Sequence, residues 1–456
     1  MRSNVLRQRK PGSAFALAIA LACGTAVAAV SVAEPAYAQK KKKKDKEEQS
    51  AYSKEFIAAY NPLNEGVNAE GADVAALKGQ IQALMASAVS PDEKLASGNL
   101  AYSASIKIDD RALQLAGMEA MLASGKVSPE NQGQYNFIAY QLANVNGDIP
   151  KARVYLQKAI DLNYTTDSLS PDVLRTEMAE SYFRQDNYNE GLSYLSQAIA
   201  EREAKGVAAP EDWYLRGLQI GYSNNIQPQV YEFVVGWVSH YPSEEHWRDA
   251  INIARNLGDF PAAESLDLLR LARKLGTMNN KQDYIEFVEA ADPRRLPKEV
   301  ADIIEQGYAS GDASKDDIFL ADSLTQAKGR IASDRSELPA LERDARAASA
   351  ALRTVVAAGD AFLSYSDYAK AEEFYAKALT MPGVNSAEVS TRLGIAQAKL
   401  GKNSEAAATF AKVDGKRKPI AMLWTAHVKQ EAGASTASAP ASAPTSAPAE
   451  EAATVG

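Results

Sequence analysis

Apolar side chains recur along most of this chain at steps of three and four residues, the spacing that places them on one face of an α-helix. Val154, Ala159 and Ile160 follow this spacing among charged residues, and so do the apolar residues between Phe362 and Leu379. No stretch alternates with period two for long enough to indicate a sheet. The pattern predicts an all-α protein.

Residues that break helices interrupt this pattern repeatedly. The interruptions are Gly147–Pro150, Asp186–Asn187, Gly258–Pro261, Ser366–Asp367 and Gly401–Asn403. Glycine, proline, asparagine and aspartate favour turns, so each cluster marks the connection between two helices. We therefore expect a string of helix–turn–helix hairpins.

The hairpins repeat in sequence. The clearest unit runs from Gly359 to Leu379, and the next contains Leu393, Gly394, Ala406 and Phe410. Ala371 and Ala406 take the same place in the two units and lie 35 residues apart. An earlier pair of units aligns Ala152, Leu156 and Ala159 with Gly191, Leu195 and Ala198, which lie 39 residues apart.

These residues resemble the tetratricopeptide repeat family, whose period is 34 residues. The small residues that the family needs where two helices cross are Gly359, Ala371 and Ala378, and the large apolar ones are Val355, Phe362 and Tyr375. The resemblance covers about residues 133–270 and 351–430. It implies hairpins stacked into a right-handed superhelix, an α-solenoid. A helical bundle without repeats is the alternative.

The same patterns predict an organisation in six parts. We expect a signal peptide at 1–38, a lysine-rich disordered arm at 39–50 and an N-terminal repeat array at 51–275. Pro293, Pro297 and Pro339 interrupt the spacing after that, which predicts an irregular helical joint at 276–350. A C-terminal repeat pair with a closing helix follows at 351–432. A disordered tail rich in Ala, Ser and Pro takes up 433–456.

The first residues are typical of an exported protein. Arg2, Arg7, Arg9 and Lys10 precede an apolar stretch, and Ala36-Tyr37-Ala38 forms a small-residue cleavage site before Gln39. This order predicts a secretory signal peptide and a periplasmic or secreted mature protein. The alternatives are an uncleaved membrane anchor and lipidation at Cys23, although Ala20 stands where a lipoprotein signal has leucine.

Charge narrows the range of partners. The formal net charge is −8 for 456 residues, which argues against nucleic-acid binding. The five lysines at 40–44 are expected to be solvated, with weak contact to an anionic envelope surface as a second possibility. Cys23 is the only cysteine, so the mature chain is expected to contain no disulfide.

The sequence contains no recognisable constellation for catalysis or metal binding. Its three histidines, His240, His246 and His427, form no metal-binding motif. The acidic segment around Asp312 lacks the glycine and glutamate of a calcium loop. We therefore expect no metal, no cofactor and no enzyme activity. An enzyme that relies on carboxylates alone is the remote alternative.

Resemblance to the family predicts instead a concave groove lined by the first helix of each hairpin. The residues that it places there are Gln134, Phe137, Gln141, Asn144, Thr176, Glu180, Phe183, Arg184, Tyr214 and Leu218. This mixed aromatic and polar set suits an extended or helical peptide. The predicted function is an exported scaffold that binds another protein or peptide. The alternative function is that of a structural envelope protein tethered by its arm or tail. For Phe137 and Tyr214, the alternative to a place in the groove is a place in the core.

Overall fold

A computed structural model describes residues 51–437 of the chain. These residues form twenty α-helices and one turn of 3-10 helix, and within them the only β-type pairing is an isolated bridge between Thr166 and Leu169. The all-α prediction is confirmed. The predicted signal peptide, the lysine-rich arm and the tail beyond residue 437 lie outside the described residues.

The chain divides into two compact units, Met1–Glu201 and Arg202–Gly456, here called unit 1 and unit 2. The helices of unit 1 are α1 (Lys54–Asn68), α2 (Val74–Ser87), α3 (Pro91–Lys107), α4 (Arg111–Ala123), α5 (Pro129–Val145), α6 (Ile149–Asp161), α7 (Pro171–Phe183) and α8 (Tyr188–Glu203). The last of these, α8, extends two residues past the division.

Unit 2 contains the remaining helices. They are α9 (Glu211–Ser223), α10 (Gln229–His240), α11 (Glu244–Gly258), α12 (Ala262–Leu275), α13 (Lys281–Ala291), α14 (Pro297–Ser310), α15 (Ile318–Arg346), α16 (Leu352–Ser364), α17 (Tyr368–Leu379), α18 (Ser386–Lys399), α19 (Asn403–Phe410) and α20 (Lys418–Ala437). A 3-10 turn at Gly415–Arg417 precedes α20.

All five predicted interruptions coincide with connections between helices. Each contains one residue in the left-handed backbone region: Gly147 (φ 80°), Asp186 (57°), Asp259 (43°), Ser366 (62°) and Gly401 (74°). Glycine, aspartate and asparagine tolerate this conformation better than most residues, which explains why the turns could be located from sequence.

The hairpins of unit 2 share one packing contact. In three of them a glycine on the first helix lies against an aromatic ring 16 residues later on the second. The pairs are Gly217 with Phe233, Gly359 with Tyr375, and Gly394 with Phe410. A methyl group on Gly359 would lie 2.6 Å from Tyr375 Cε1, so any larger residue would force the two helices apart. In these hairpins the small residue therefore lies where the two helices cross, as predicted.

The predicted boundaries after residue 275 need correction. Helices α12 and α13 pack against each other within unit 2, and α13, α14 and α15 are regular helices rather than an irregular joint. Pro297 occupies the first position of α14, where its missing N–H is harmless. Pro293 lies in the turn before α14, and only Pro339 lies inside a helix. The closing helix α20 reaches Ala437, past the predicted end at 432.

A regular signal not included in the predicted repeat begins in residues 51–132 and extends to residue 172. Helices α3, α5 and α7 each begin with serine, proline and an acidic residue: Ser90-Pro91-Asp92, Ser128-Pro129-Glu130 and Ser170-Pro171-Asp172. Serine caps a helix, proline suits its first position and a carboxylate interacts favourably with its positive end. The three triplets mark α3, α5 and α7 as equivalent helices.

Glu93 holds the first helix of unit 1 in place. Its buried carboxylate accepts hydrogen bonds from the backbone N–H groups of Ser53 (2.8 Å), Val89 (2.9 Å) and Ser90 (3.0 Å). These bonds, that of Ser53 foremost, lower the pKa of Glu93 to about 2. One side chain thus completes the cap of α3 and ties it to the start of α1.

Candidate functional site

Helices α5 and α7 carry most of the predicted partner-binding residues, and they contact each other directly. The Tyr140 hydroxyl on α5 donates a hydrogen bond of 2.5 Å to Glu177 Oε1 on α7. Arg184, at the C-terminal cap of α7, donates to the same oxygen at 2.7 Å. Glu177 therefore fixes the two helices relative to each other and orients the Arg184 guanidinium.

The polar residues predicted for the groove are distributed along these helices. Gln134, Asn144, Thr176 and Glu180 are half-buried, and Arg184 is exposed. The spacing of Thr176, Glu180 and Arg184 by four residues places them along one side of α7. We call Gln134, Asn144, Thr176, Glu180 and Arg184 the α5–α7 face. Gln141 belongs to the same set in sequence, but it is 9% exposed and largely inaccessible.

The contact with Glu177 affects the acidity of Tyr140. Burial raises the pKa of Tyr140, and the charge and hydrogen bond of Glu177 raise it further. Tyr140 is therefore a neutral donor at all physiological pH values. The neutral hydroxyl held by the Glu177 carboxylate is a directional contact between the two helices.

The aromatic members of the predicted set are core residues, which is a correction to the prediction. Phe137 is 6% exposed and its ring lies 5.5 Å from that of Tyr164. Tyr214 is 1% exposed, and its hydroxyl donates to Glu203 Oε1 at 2.6 Å. Phe183 and Leu218 are also buried. Large apolar side chains beside a helix crossing fill the space that small residues leave, so they are unavailable to a partner.

A cavity of about 200 Å³ lies between α3 and the N-terminal half of α5. Its walls include Tyr52, Leu95, Asn99, Lys126, Asn131 and Tyr135. Apolar walls with amide and hydroxyl groups at hydrogen-bonding reach are typical of a site that accepts one side chain of a ligand. This cavity could not be predicted from the sequence, because its residues come from three separate segments of unit 1.

In unit 2 the polar residues of α12, α14, α16 and α18 bind one another. Asp267 on α12 is fully buried and accepts hydrogen bonds from Arg270 Nη1 (2.7 Å) and Arg417 Nη1 (2.6 Å). The Arg392 Nε on α18 lies 3.5 Å from the same carboxylate. Three arginines thus converge on one aspartate.

Further carboxylates complete this arrangement. Glu299 on α14 receives two hydrogen bonds from Arg270, at 2.8 and 2.6 Å. Arg392 also binds Asp360 on α16 (3.0 Å) and Glu388 on α18 (2.7 Å). We call these seven residues (Asp267, Arg270, Glu299, Asp360, Glu388, Arg392 and Arg417) the arginine network. Each arginine of the network is paired with at least one carboxylate, while the Nε groups of Arg392 and Arg417 are buried without a hydrogen-bond partner.

The residues that the structure describes contain no group of three His, Cys, Asp or Glu side chains placed to hold a metal ion. Over the same residues, no helix has the length and apolar character needed to cross a membrane.

Comparison with known proteins adds little at the level of the site. No protein-family model and no curated protein sequence matches the chain. Among solved structures, the chain is similar to Naa15/Naa10 bound to HypK-THB, with 14% identity over 83% of this chain and 69% of that chain and a TM-score of 0.27. It is also similar to a Rap protein complexed with competence and sporulation factor, with 14% identity, coverage of 81% and 99%, and a TM-score of 0.17. The helical-hairpin architecture therefore rests on the packing of the chain itself.

Proposed function

We propose that this protein is an interaction scaffold that binds another protein or a peptide on the α5–α7 face of unit 1. The observation that supports this most is the Tyr140–Glu177–Arg184 chain of hydrogen bonds, with bonds of 2.5 and 2.7 Å. It orients the Arg184 side chain of this face before any partner arrives. A surface organised in advance loses little conformational entropy on binding.

The chemistry of the face indicates the kind of partner. Gln134 and Asn144 carry both donors and acceptors, and Glu180 and Arg184 carry one charge of each sign. The Thr176 hydroxyl donates to the Asp172 carbonyl, which leaves its oxygen as an acceptor. Such a surface suits the backbone and polar side chains of an extended or helical peptide. The cavity between α3 and α5 has room for about one large side chain of that peptide.

We also propose that the protein works outside the cytoplasm. The support is the order of basic residues, apolar stretch and cleavage site in residues 1–38. Nothing in this part of the proposal depends on the α5–α7 face, so the two can fail separately.

The binding proposal is tested by placing a photo-reactive amino acid at single positions of the full-length protein. Positions 144 and 180 lie on the face, whereas position 158 is an exposed residue on α6 and serves as the control. Irradiation in cells should link the same partner from positions 144 and 180 but not from 158. Equal linking from all three positions, or none from any, would remove the face as the binding surface.

A second measurement uses the captured partner and purified protein. Arg184→Ala combined with Glu180→Ala should weaken binding about tenfold or more, because charged anchors at such interfaces contribute roughly 1–2 kcal/mol. Lys158→Ala should leave binding unchanged. Arg184 is exposed, and Tyr140 keeps its hydrogen bond to Glu177 when Arg184 is removed, so the double variant should keep its thermal midpoint within about 2 °C. A parallel fall in binding and midpoint would show that these residues are structural.

A further inference from the structure

The cavity between α3 and α5 has a wall that hydrogen bonds hold in place. Tyr52 forms one side of the cavity, just before the start of α1. The carbonyl of Ala51 accepts a hydrogen bond from Ser90 Oγ at 2.9 Å, and the N–H of Ser53 donates to Glu93 at 2.8 Å. Both chain neighbours of Tyr52 are therefore tied to the start of α3, so the position of this wall is fixed by the fold.

The size of the cavity matches an aromatic side chain. Its volume is about 200 Å³. Apolar protein cavities of roughly 150 Å³ are large enough to bind benzene. Leu95, Ala96 and Val127 contribute apolar surface to this cavity, and Ala96 and Val127 are themselves buried. The cavity therefore has room for a six-membered aromatic ring that carries one further substituent.

Amide and hydroxyl groups of the wall have hydrogen-bonding capacity to spare. Among residues 51–437, neither the Asn99 side chain nor the Tyr135 hydroxyl has a hydrogen-bond partner. Asn131 Nδ2 donates to Ser128 Oγ at 3.1 Å, which leaves Asn131 Oδ1 as an acceptor. Burial raises the pKa of Tyr135, so its hydroxyl keeps its proton at neutral pH and can donate. A hydroxyl group on the ligand, which both donates and accepts, could bond to groups of either kind.

The charge of the wall favours a neutral ligand. Of the described residues that line the cavity, only Lys126 is charged, and its ammonium lies 3.4 Å from Asp92 Oδ1. Because this carboxylate balances the ammonium, a phosphate or carboxylate group on the ligand would meet like charge beside Asp92. The ligand that fits is an uncharged aromatic ring with a hydroxyl group, which among amino-acid side chains is that of tyrosine.

We propose that this cavity is a specificity pocket for a tyrosine side chain of the partner protein or peptide. The ring would lie against the apolar wall, and its hydroxyl would bond to the amide of Asn99 or Asn131. The inference rests on the proposed function, because Tyr135 of the cavity directly follows Gln134 of the α5–α7 face. Phenylalanine would leave the polar groups of the wall unpaired, and sites of this kind discriminate strongly against such an analogue.

The test compares two neutral probes, N-acetyl-L-tyrosinamide and N-acetyl-L-phenylalaninamide, which differ by one hydroxyl group. Their dissociation constants for the full-length protein are measured by saturation-transfer NMR titration, because all tryptophans of the chain lie in unit 2 and cannot report on unit 1. The tyrosine probe should bind about tenfold more tightly or better. Equal binding of the two probes, or no binding of either, overturns the proposal.

Two variants test whether the probe binds in this cavity. Asn99→Leu and Tyr135→Phe each remove a polar group from the wall at nearly constant size, so each should reduce the preference for the tyrosine probe several-fold. Tyr135→Phe removes a single oxygen atom and should fold even if Asn99→Leu does not. Asn64→Leu is the matched control, because Asn64 is a half-buried asparagine of α1 that lies outside the cavity. This control should keep the full preference. If both cavity variants keep it as well, tyrosine binds elsewhere and the proposal is overturned.

The probe measurement can be read separately from the cross-linking test of the α5–α7 face. If positions 144 and 180 capture a partner while the two probes bind equally, the face is supported and the tyrosine pocket is overturned. If the tyrosine probe is preferred in the way described and neither position captures a partner, the pocket is supported and the face is overturned.

Discussion

Replacing Asp267 by asparagine should destabilise unit 2 more than most single substitutions on its surface. The asparagine keeps the size and one acceptor oxygen of the aspartate but removes its negative charge. Asp267 is fully buried, and the arginines at 2.7 Å (Arg270), 2.6 Å (Arg417) and 3.5 Å (Arg392) all face it. The substitution therefore leaves three guanidinium groups around a neutral side chain.

The expected loss in free energy of unfolding depends on which arginines keep a negatively charged partner. Arg270 retains both bonds to Glu299, and Arg392 retains Asp360 and Glu388. Arg417 is left with Glu264 at 3.4 Å and Glu388 at 3.9 Å, neither in close hydrogen-bonding geometry. Removing one partner of a buried ion pair costs roughly 3–5 kcal/mol. We expect about 3–4 kcal/mol for Asp267→Asn, since two of the three arginines stay paired.

The assay can report on unit 2 alone. All four tryptophans of the chain, Trp213, Trp237, Trp247 and Trp424, lie in unit 2. Urea unfolding followed by tryptophan fluorescence therefore measures the free energy of unfolding of this unit. Asp302→Asn is the matched control, because Asp302 forms a surface pair with Lys298 and its side chain is 31% exposed. Exposed pairs contribute less than about 1 kcal/mol.

The dependence on pH provides a further check. Burial raises the pKa of Asp267, but Arg392, Arg270 and Arg417 outweigh it and hold the pKa below its ordinary value. A carboxyl group with a lowered folded-state pKa stabilises the protein fully above its unfolded-state pKa of about 3.9. That stabilisation is lost as the pH falls through the folded-state pKa. The difference in free energy of unfolding between the unmodified protein and Asp267→Asn should therefore shrink only in strong acid.

The argument fails if Asp267→Asn loses no more stability than Asp302→Asn at pH 7. It fails as well if the unmodified protein and Asp267→Asn differ in free energy of unfolding by the same amount at pH 7 and in strong acid.

Two other predictions concern packing and processing. Ala371 is fully buried where α16 and α17 cross, so Ala371→Leu should destabilise unit 2 by roughly 1–3 kcal/mol in the same urea assay. Ala376 is an exposed residue of the same helix, so Ala376→Leu should change the free energy of unfolding little. Equal tolerance at both positions would show that the repeat register is wrong. Export with cleavage after Ala38 should give a mature protein whose N-terminal sequence begins at Gln39, and retention of Met1 in exported material would refute it.

Much of the fold could be predicted from sequence because its determinants are local. The turn residues Gly147, Asp186 and Gly401 are few in kind and adopt a backbone conformation that most residues avoid. The small residues at helix crossings, such as Gly359, recur with the repeat. Each of these features depends on neighbours within one hairpin, so a period in the sequence is enough to reveal it.

The features that escaped prediction depend on distant residues or on exposure. Asp267 and Arg417 are 150 residues apart, and no repeat relates them. Tyr214 occupies a position that could equally face a groove or the core, and only the structure shows that its ring lies against Gly236. Periodicity identifies which side of a helix a residue is on, but not what covers that side.

The two units illustrate opposite uses of polar residues on successive helices. In unit 2, Asp267, Arg270 and Arg392 are charged, buried and ion-paired within the arginine network, so their removal should affect stability first. In unit 1, Asn144 and Glu180 are half-buried and Arg184 is exposed, so their removal should affect stability little. Such a polar surface, on which Glu177 orients Arg184, can be specialised for a ligand with little effect on folding. For this reason we expect variants of the α5–α7 face to separate binding from stability, and variants of the arginine network to be unable to do so.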